Sequence, residues 1–302
     1  MDSKVKKIID QVQKNRHIVM KVYIKFLRKI ICRILPKIFK IKKEFEKDFI
    51  YTTICSKNSF DMVLASLYSL FKNSKILPRK IIIVSDGSWS ENEGKAFFYK
   101  YKLPISFLSW KDCASYYVEK CPELLKWAEN QIWGKKMASI LYLSENNKVL
   151  FADPDVLWYS SPLKDAVLND CTFKVSVDNS TNYDQQCLKK CNLDSLISRE
   201  PINCGVVYIT GGLQILNSEA LRCIKYESEN LGSFAEQTVF AALDLKFNNR
   251  WKMSEITSEI DDLFEYMPFK KNIHYDGMIA RHYLYALKGI YWKEYTKMLL
   301  SK

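Results

Sequence analysis

The sequence predicts an α/β fold, with a mostly parallel central sheet flanked by helices, on three observations. Between residues 48 and 152, apolar strand-like runs alternate with segments of helical periodicity. The runs "RKIIIVSDGS" and "KVLFADPD" are continuously apolar before their polar tips, the pattern of strands buried on both faces. Only 9 Gly and 8 Pro in 302 residues speak against a turn-rich all-β protein, and 48% hydrophobic content excludes a disordered chain.

The first 48 residues stand apart from this pattern. They hold 15 Lys/Arg against 5 Asp/Glu, so +10 of the net charge of +12 belongs to them and only +2 to the rest. Apolar Val19, Val22, Tyr23, Phe26, Ile30 and Ile34 recur at helical spacing, interrupted by Lys21, Lys25, Arg28, Lys29 and Arg33. No stretch reaches the roughly 18 uncharged apolar residues of a spanning helix, and no uninterrupted core marks a secretory signal. The expectation is a basic amphipathic helical arm over 1–48, lying on an anionic inner membrane leaflet or packing on protein, its own domain or a second subunit. With no recognition motif interleaved in it, nucleic acid is not the expected partner. Pro36 ends the helix, and Lys42 to Asp48 reads as a charged linker.

The body, 49–302, reads as one domain. "DFIYTTIC" (48–55) is a strand of β-branched and aromatic residues, and 59–73 a helix with Ser59 as N-cap. Strands are expected at 79–88 and 104–110, a helix at 129–145, then the strand "KVLFADPD". "TFKVSVD" (172–178) and "NCGVVYIT" (203–210) are further strands; helices follow at roughly 217–230 and 235–245, and 273–302 is aromatic-rich and mixed. Nine cysteines show no scaffold spacing; Cys187 and Cys191 in "CLKKC" lack the further Cys/His pair of a zinc site, so reduced thiols in a cytoplasmic protein are expected.

Chemistry concentrates where the strand from Val149 breaks into Asp153-Pro154-Asp155. A strand's side-chain period of two sends both carboxylates to one side and Pro154 to the other, suiting a hard divalent cation. Asp-Pro-Asp is also ordinary turn chemistry, and the tripeptide alone favours the turn. Strand carboxyl ends are where ligands bind in such sheets, and Ser85-Asp86-Gly87-Ser88 ends there too.

"KVLFADPDVLWYSSPL" resembles the D-x-D segment of GT-A-fold glycosyltransferases, and other segments follow in that family's order. "FIYTTICSKNSFDMVLASLYSLFKN" resembles the first strand and helix, "RKIIIVSDGSWS" the second strand, and "WGKKMASILYL" the helix whose lysine lies near the nucleotide-sugar. "PINCGVVYI" is similar to the N-x-G segment, "AEQTVFAAL" to the (D/E)-Q segment and "ARHYLYALKGIYW" to the C-terminal histidine motif. The likeness spans about 48–292 and is nearest to family-8-like bacterial transferases. It implies a Rossmann-like GT-A domain and a hexosyltransferase-type, retaining glycosyltransferase using Mn²⁺ or Mg²⁺. Asp153, Asp155 and a histidine would hold the metal. Thr53, Asp86, Lys136, Asp153, Asn203, Gly205, Gln237 and Lys288 would contact the nucleotide-sugar, a UDP-sugar, with Gln237, Glu236 and Asn203 catalytic.

Several of these residues have a plainer reading. Glu236, three residues after Ser233, completes a capping box; Asp86 shapes an Asp-Gly turn; a helical Lys136 is ordinarily solvated. A strand-edge Asn203 beside Gly205 is either a turn or a place where a sugar hydroxyl approaches the backbone. Of three histidines, His17 lies in the arm, His274 matches the short His-x-x-Gly pattern, and His282 stands at better distances from Lys288 and Trp292. The usual lysine-proline-tryptophan after the histidine is missing, which leaves phosphate contact to Arg281 or Lys288. With the arm, the resemblance implies a peripheral enzyme on the cytoplasmic side of the inner membrane. Its acceptor would be a glycan or lipid-linked hydroxyl in lipopolysaccharide or capsule assembly. The alternatives are a nucleotidyltransferase acting on sugar phosphates and a non-catalytic GT-A-like binding or scaffold protein. "TTICSKNSFD" lacks the glycine-rich phosphate loop of the first, and the intact set Asp153, Asp155, Asn203, Gln237 and His282 counts against the second.

Overall fold

The structure, a computed structural model, describes residues 22, 26, 28, 46–74, 76–101, 103, 105–163, 172–258, 277–284 and 288–300. The chain divides into two compact units, one of Lys42–Glu259 with His274–His282 and another that includes Tyr283–Lys302. The larger carries the sheet and, Lys288 apart, the site residues discussed below.

Seven strands form the sheet in the order β3-β2-β1-β4-β7-β6-β8: β1 Glu46–Cys55, β2 Leu77–Ser85, β3 Ile105–Ser109, β4 Val149–Ala152, β6 Phe173–Val177, β7 Ile202–Ile209 and β8 Arg250–Trp251. The pairings β1–β2, β2–β3, β1–β4 and β6–β8 are parallel; β7 runs antiparallel to both β4 and β6. The mostly parallel α/β expectation therefore holds. A smaller sheet sets β10 (Ala280–His282) between β5 (Val156–Trp158), antiparallel, and β9 (Ile256–Thr257), parallel.

Helices cover both faces, as buried parallel strands require. Alternation in β1 sends Ile50 and Ile54 to one face and Tyr51 to the other. Ile50, Ile54 and Phe151 join a core with Met137, Ile140 and Leu141 of α5 (Ile132–Ser144). Tyr51 faces α1 (Phe60–Asn73), its hydroxyl 3.2 Å from Ser66 Oγ. Two short helices start on true capping boxes: α2 (Glu91–Phe98) on Ser90 with Glu93, and α3 (Trp110–Ser115) on Ser109 with Asp112.

Several boundaries differ from expectation for local reasons. The first strand opens at Glu46, so Glu46 and Lys47, read above as linker, pair with the sheet, opposite Leu77 and Pro78. Ser59 does not cap α1 through its side chain; it closes a 3₁₀ turn, Lys57–Ser59, with its hydroxyl against Ser56. The helix expected over 129–145 is two, α4 (Pro122–Asn130) and α5, split at extended Gln131. Gly134 permits that fold-back, since a Cβ there would sit 2.4 Å from the carbonyl carbon of Trp127. Downstream lie α6 (Gln185–Lys190), α7 (Ser218–Asn230), α8 (Ala235–Phe247) and, in the other unit, α9 (Lys288–Leu300). Of the arm, only Val22, Phe26 and Arg28 are described; all three are helical, and Val22 and Phe26 are exposed. Among the described residues no helix is long and apolar enough to cross a membrane.

Candidate functional site

Asp153 leaves the carboxyl end of central β4, but it does not continue a strand. Val156 N–H donates to Asp153 carbonyl O at 3.2 Å, closing a turn over Asp153–Pro154–Asp155 that leads into β5. The two carboxylates thus share one side because of a turn, not strand alternation, and turn and site turn out to be the same object. Register supplies the third group: His282 of β10 pairs with Val156 of β5, the residue after Asp155. His282 Nε2 lies 3.2 Å from Asp155 Oδ1 and 3.6 Å from Asp153 Oδ2. One ligand atom from each of the three falls within 4.8 Å of the others.

The histidine is held by β7. Gly205 offers no side chain, and a Cβ there would stand 2.2 Å from His282 Nδ1, so the imidazole lies on bare backbone. What approaches this glycine is the histidine ring, where the sequence suggested a sugar hydroxyl. Asn203 Oδ1 stands 2.9 Å from His282 Nδ1 and accepts from Gly205 N–H at 2.8 Å; its Nδ2 donates to Asp178 Oδ2 at 3.0 Å. Asp178 is fixed in turn by Ser258 Oγ–H and Asn179 N–H, both at 2.8 Å. With both amide ends of Asn203 assigned this way, Nδ1–H is the donor, and Nε2 is the nitrogen that faces the aspartates. A register shift makes the arrangement possible: consecutive Val175 and Ser176 of β6 pair with Val207 and Asn203 of β7, leaving Cys204–Val206 as extra length. Asn203 lies inside that strand rather than at a sheet edge.

Lys136, on α5, is buried, not solvated. Its Nζ stands 3.0 Å from Asp153 Oδ1 and 2.8 Å from Glu236 Oε1, and Cys204 Sγ–H donates to the same Glu236 oxygen at 3.1 Å. Glu236 therefore serves this ion pair and not a capping box; the N-cap of α8 is Phe234, left-handed and without a side-chain cap. Burial pushes the Asp153 carboxyl up to about 6, against the opposing pull of Lys136 and His282. Burial works against the charge on Lys136 too, but Asp153 and Glu236 outweigh it and hold the ammonium above its usual range. Burial likewise opposes a charged His282, and Asp155 overcomes it, raising the imidazole. Three carboxylates against one lysine leave a formal charge of −2 around a neutral histidine, the charge one divalent cation cancels. The oxygen–oxygen–nitrogen donor set, the cradle at Gly205 and the fixed tautomer all fit such an ion.

The other expected residues are more dispersed. Gln237 is buried, its Nε2 donating to Ile202 carbonyl O at 2.6 Å. Thr53, in β1, is buried, and its Oγ1 has no hydrogen-bond partner among the described residues. Asp86 does shape a turn: Oδ1 accepts from Ser88 N–H at 2.9 Å and Gly87 has φ +102°. Lys135 Nζ, lying over the Trp110 ring, donates to Asp86 carbonyl O at 2.8 Å. Arg281 is buried in β10 beside His282, and strand alternation turns it away from the aspartates. Lys288 opens α9 in the other unit, and its side chain, like His274, lies outside the described residues. Sequence reasoning missed Cys204 and Asp178. Asp178 carried the same signal as Asp153, an acid at the end of an apolar run.

No family model matches the chain, and no curated protein matches it by sequence. Solved structures do. Mouse xyloside xylosyltransferase 1 superposes with a TM-score of 0.55 at 12% identity, over 79% of this chain and 98% of that one. The galactosyltransferase LgtC, in complex with donor and acceptor sugar analogs, gives 0.51 at 15% identity, over 82% and 94%. The WbbM bifunctional glycosyltransferase gives 0.53 at 12% identity, over 87% of this chain and 53% of that one. The chain has the GT-A glycosyltransferase fold.

Proposed function

We propose that this chain is a metal-dependent glycosyltransferase, moving a sugar from a nucleotide-sugar to an acceptor hydroxyl. The observation that carries this reading is the convergence of Asp153, Asp155 and His282 at the carboxyl end of β4 in a GT-A fold. A nucleotide-sugar breaks at its anomeric C–O bond and leaves a nucleoside diphosphate. A divalent ion held by the three residues supplies Lewis-acid stabilisation of that leaving group. Imidazole as third donor favours Mn²⁺ over Mg²⁺.

The chain's own groups have separable tasks. Asn203 fixes the His282 tautomer, and Gly205 makes room for the ring. Lys136, its charge already matched by Glu236, holds Asp153 in place rather than reaching for phosphate; Glu236 is thus a positioning residue. Gln237, with its amide pinned by Ile202, is our choice for the sugar face and for a retaining, hexosyltransferase-type reaction. Thr53, whose hydroxyl has no hydrogen-bond partner among the described residues, and Asp86, just past the end of β2, belong to the nucleotide side, and Lys288 is our choice for the phosphate contact. UDP-sugars are the donors we favour, and a glycan or lipid-linked hydroxyl in bacterial lipopolysaccharide or capsule assembly the acceptor.

The arm (1–48) joins this reading. Its +10 charge, with Val22 and Phe26 exposed one helical turn apart, supports attachment to the inner leaflet from the cytoplasmic side. Removal of 1–48 is expected to release the protein from anionic vesicles while donor hydrolysis persists; vesicle binding that survives the truncation defeats the proposal. The central test is Mn²⁺-dependent hydrolysis across UDP-, GDP-, CMP- and dTDP-sugars, alongside Asp155→Ala. The reading requires turnover of at least one donor and its loss in the variant. It fails if no donor is bound or hydrolysed with any metal.

A further inference from the structure

Away from the carboxylates, a second group of ligating side chains comes together on two helices. Cys187 of α6 and Cys191 at its C-terminal cap lie four residues apart, with sulfurs separated by 4.0 Å. Cys223 of α7 completes a buried trio whose sulfurs all fall within 4.8 Å of one another. Glu227, one turn beyond Cys223 on the same face of α7, is fully buried with its carboxyl beside Cys187. Its Oε2 accepts from Gly232 N–H at 3.0 Å, whereas Oε1 is buried with no hydrogen-bond partner among the described residues.

We propose that Cys187, Cys191, Cys223 and Glu227 form a structural zinc site, independent of the Asp153–Asp155–His282 site. The three sulfurs, two from α6 and its cap and one from α7, are mutually close, and Glu227, beside Cys187, is the donor that would complete the set. Zinc–sulfur bonds of about 2.3 Å place the sulfurs of a tetrahedral site roughly 3.8 Å apart, close to the observed Cys187–Cys191 separation. Thiolates select zinc over the hard cations suited to carboxylate sites, and a closed set of four donors is the structural, not the catalytic, form. "CLKKC" lacks a further Cys/His pair in sequence; the fold supplies Cys223 and Glu227 from a different helix.

On loading, the three thiols become thiolates, their protons pass to solvent, and the cation offsets their buried charge. The consequence is mechanical: α6 has only six residues, too few to hold a helix by themselves, and zinc would clip it to α7.

The test is a cobalt(II) titration of the full-length chain, purified without chelator and stripped of bound metal, with zinc content measured by mass spectrometry before stripping. The expected results are one thiolate-held zinc per chain as purified and, with cobalt, a saturable thiolate-to-metal charge-transfer band with tetrahedral visible bands. Asp155→Ala and Cys204→Ala leave that band unchanged, whereas Cys223→Ser weakens cobalt binding at least about tenfold, the minimum expected when a contributing residue is lost. Glu227→Gln, close in shape, keeps the sulfur band but weakens affinity. Wild-type protein showing no charge-transfer band overturns the proposal, as does a band that persists in a Cys187→Ser/Cys223→Ser double variant. A Cys187–Cys191 disulfide in freshly purified protein, found by peptide mapping, also overturns it. None of these readouts depends on sugar transfer, so a failure here is distinct from a failure of the proposed activity.

Discussion

Substituting Gly205 by alanine changes one methyl group and tests the whole arrangement of the carboxylate site. The added Cβ would lie 2.2 Å from His282 Nδ1, 2.4 Å from Cε1 and 2.7 Å from Cγ, where ordinary contacts begin near 3.4 Å. The ring must therefore retreat by more than 1 Å or turn away. Either motion breaks the Nδ1–H bond to Asn203 and carries Nε2 off the aspartates. Metal ligands tolerate displacements of only about 0.2 Å, so the histidine is lost as a donor. Weakening even an outer partner of a ligand costs roughly 10–100-fold in metal affinity, and losing His282 itself is expected to cost at least that. Overpacking should lower stability by about 1–3 kcal/mol, leaving the chain folded. Isothermal titration with Mn²⁺ and Mn²⁺-dependent donor hydrolysis, with a thermal melt as control, measure the three effects. A Gly205→Ala protein that binds Mn²⁺ as tightly as wild type and hydrolyses donor at the same rate refutes the assignment of His282.

Three further outcomes follow from the same geometry. Lys136→Met leaves Asp153 and Glu236 buried without their cation, and should cost about 3–5 kcal/mol in denaturant unfolding; adding Glu236→Gln should recover part of the loss, and additive costs would mean that the two do not interact. Asn203→Ala frees the His282 tautomer and should weaken Mn²⁺ binding roughly 10–100-fold with little change in fold, read by titration beside circular dichroism. Glu93 is held down to about 2, chiefly by Lys57, with Ser90 backbone and side chain adding to it, from an ordinary value of 4.5. A depressed carboxyl contributes stability above about pH 4.5 and loses it as the pH falls towards 2. The melting-temperature gap between wild type and Glu93→Gln should therefore be present at pH 7 and vanish by pH 2; a gap that is independent of pH would show that the charge contributes nothing.

Much of the fold was legible because burial leaves a mark on composition. Buried parallel strands must be apolar throughout, so β1, β2 and β4 stood out, and α7 and α8 were found within a few residues. Weakly marked elements were not: α4 went unread except for its last two residues, which the expected helix over 129–145 joined to α5 across extended Gln131. The capping reading of Glu236 was sound local chemistry, yet Lys136 offers its carboxylate a buried charge and Ser233 offers only a backbone turn. Similarly, "NCG" read as a turn or a sugar contact because nothing local says that a histidine 77 residues later will lie on that glycine.

By itself the sequence determined which residues could act: a pair of acids after an apolar strand, a few histidines, a basic arm and an ordered series of motifs. The tertiary structure alone decided which of them meet. His282 joins Asp153 and Asp155 through β5–β10 register, and Asn203 reaches His282 through a register shift in β7. Lys136 finds Glu236 across 100 positions, and Cys223 comes to Cys187 and Cys191 from a separate helix. Chemistry of this kind depends on distances of a few ångströms between residues far apart in the chain, and strand pairing and helix packing set those distances.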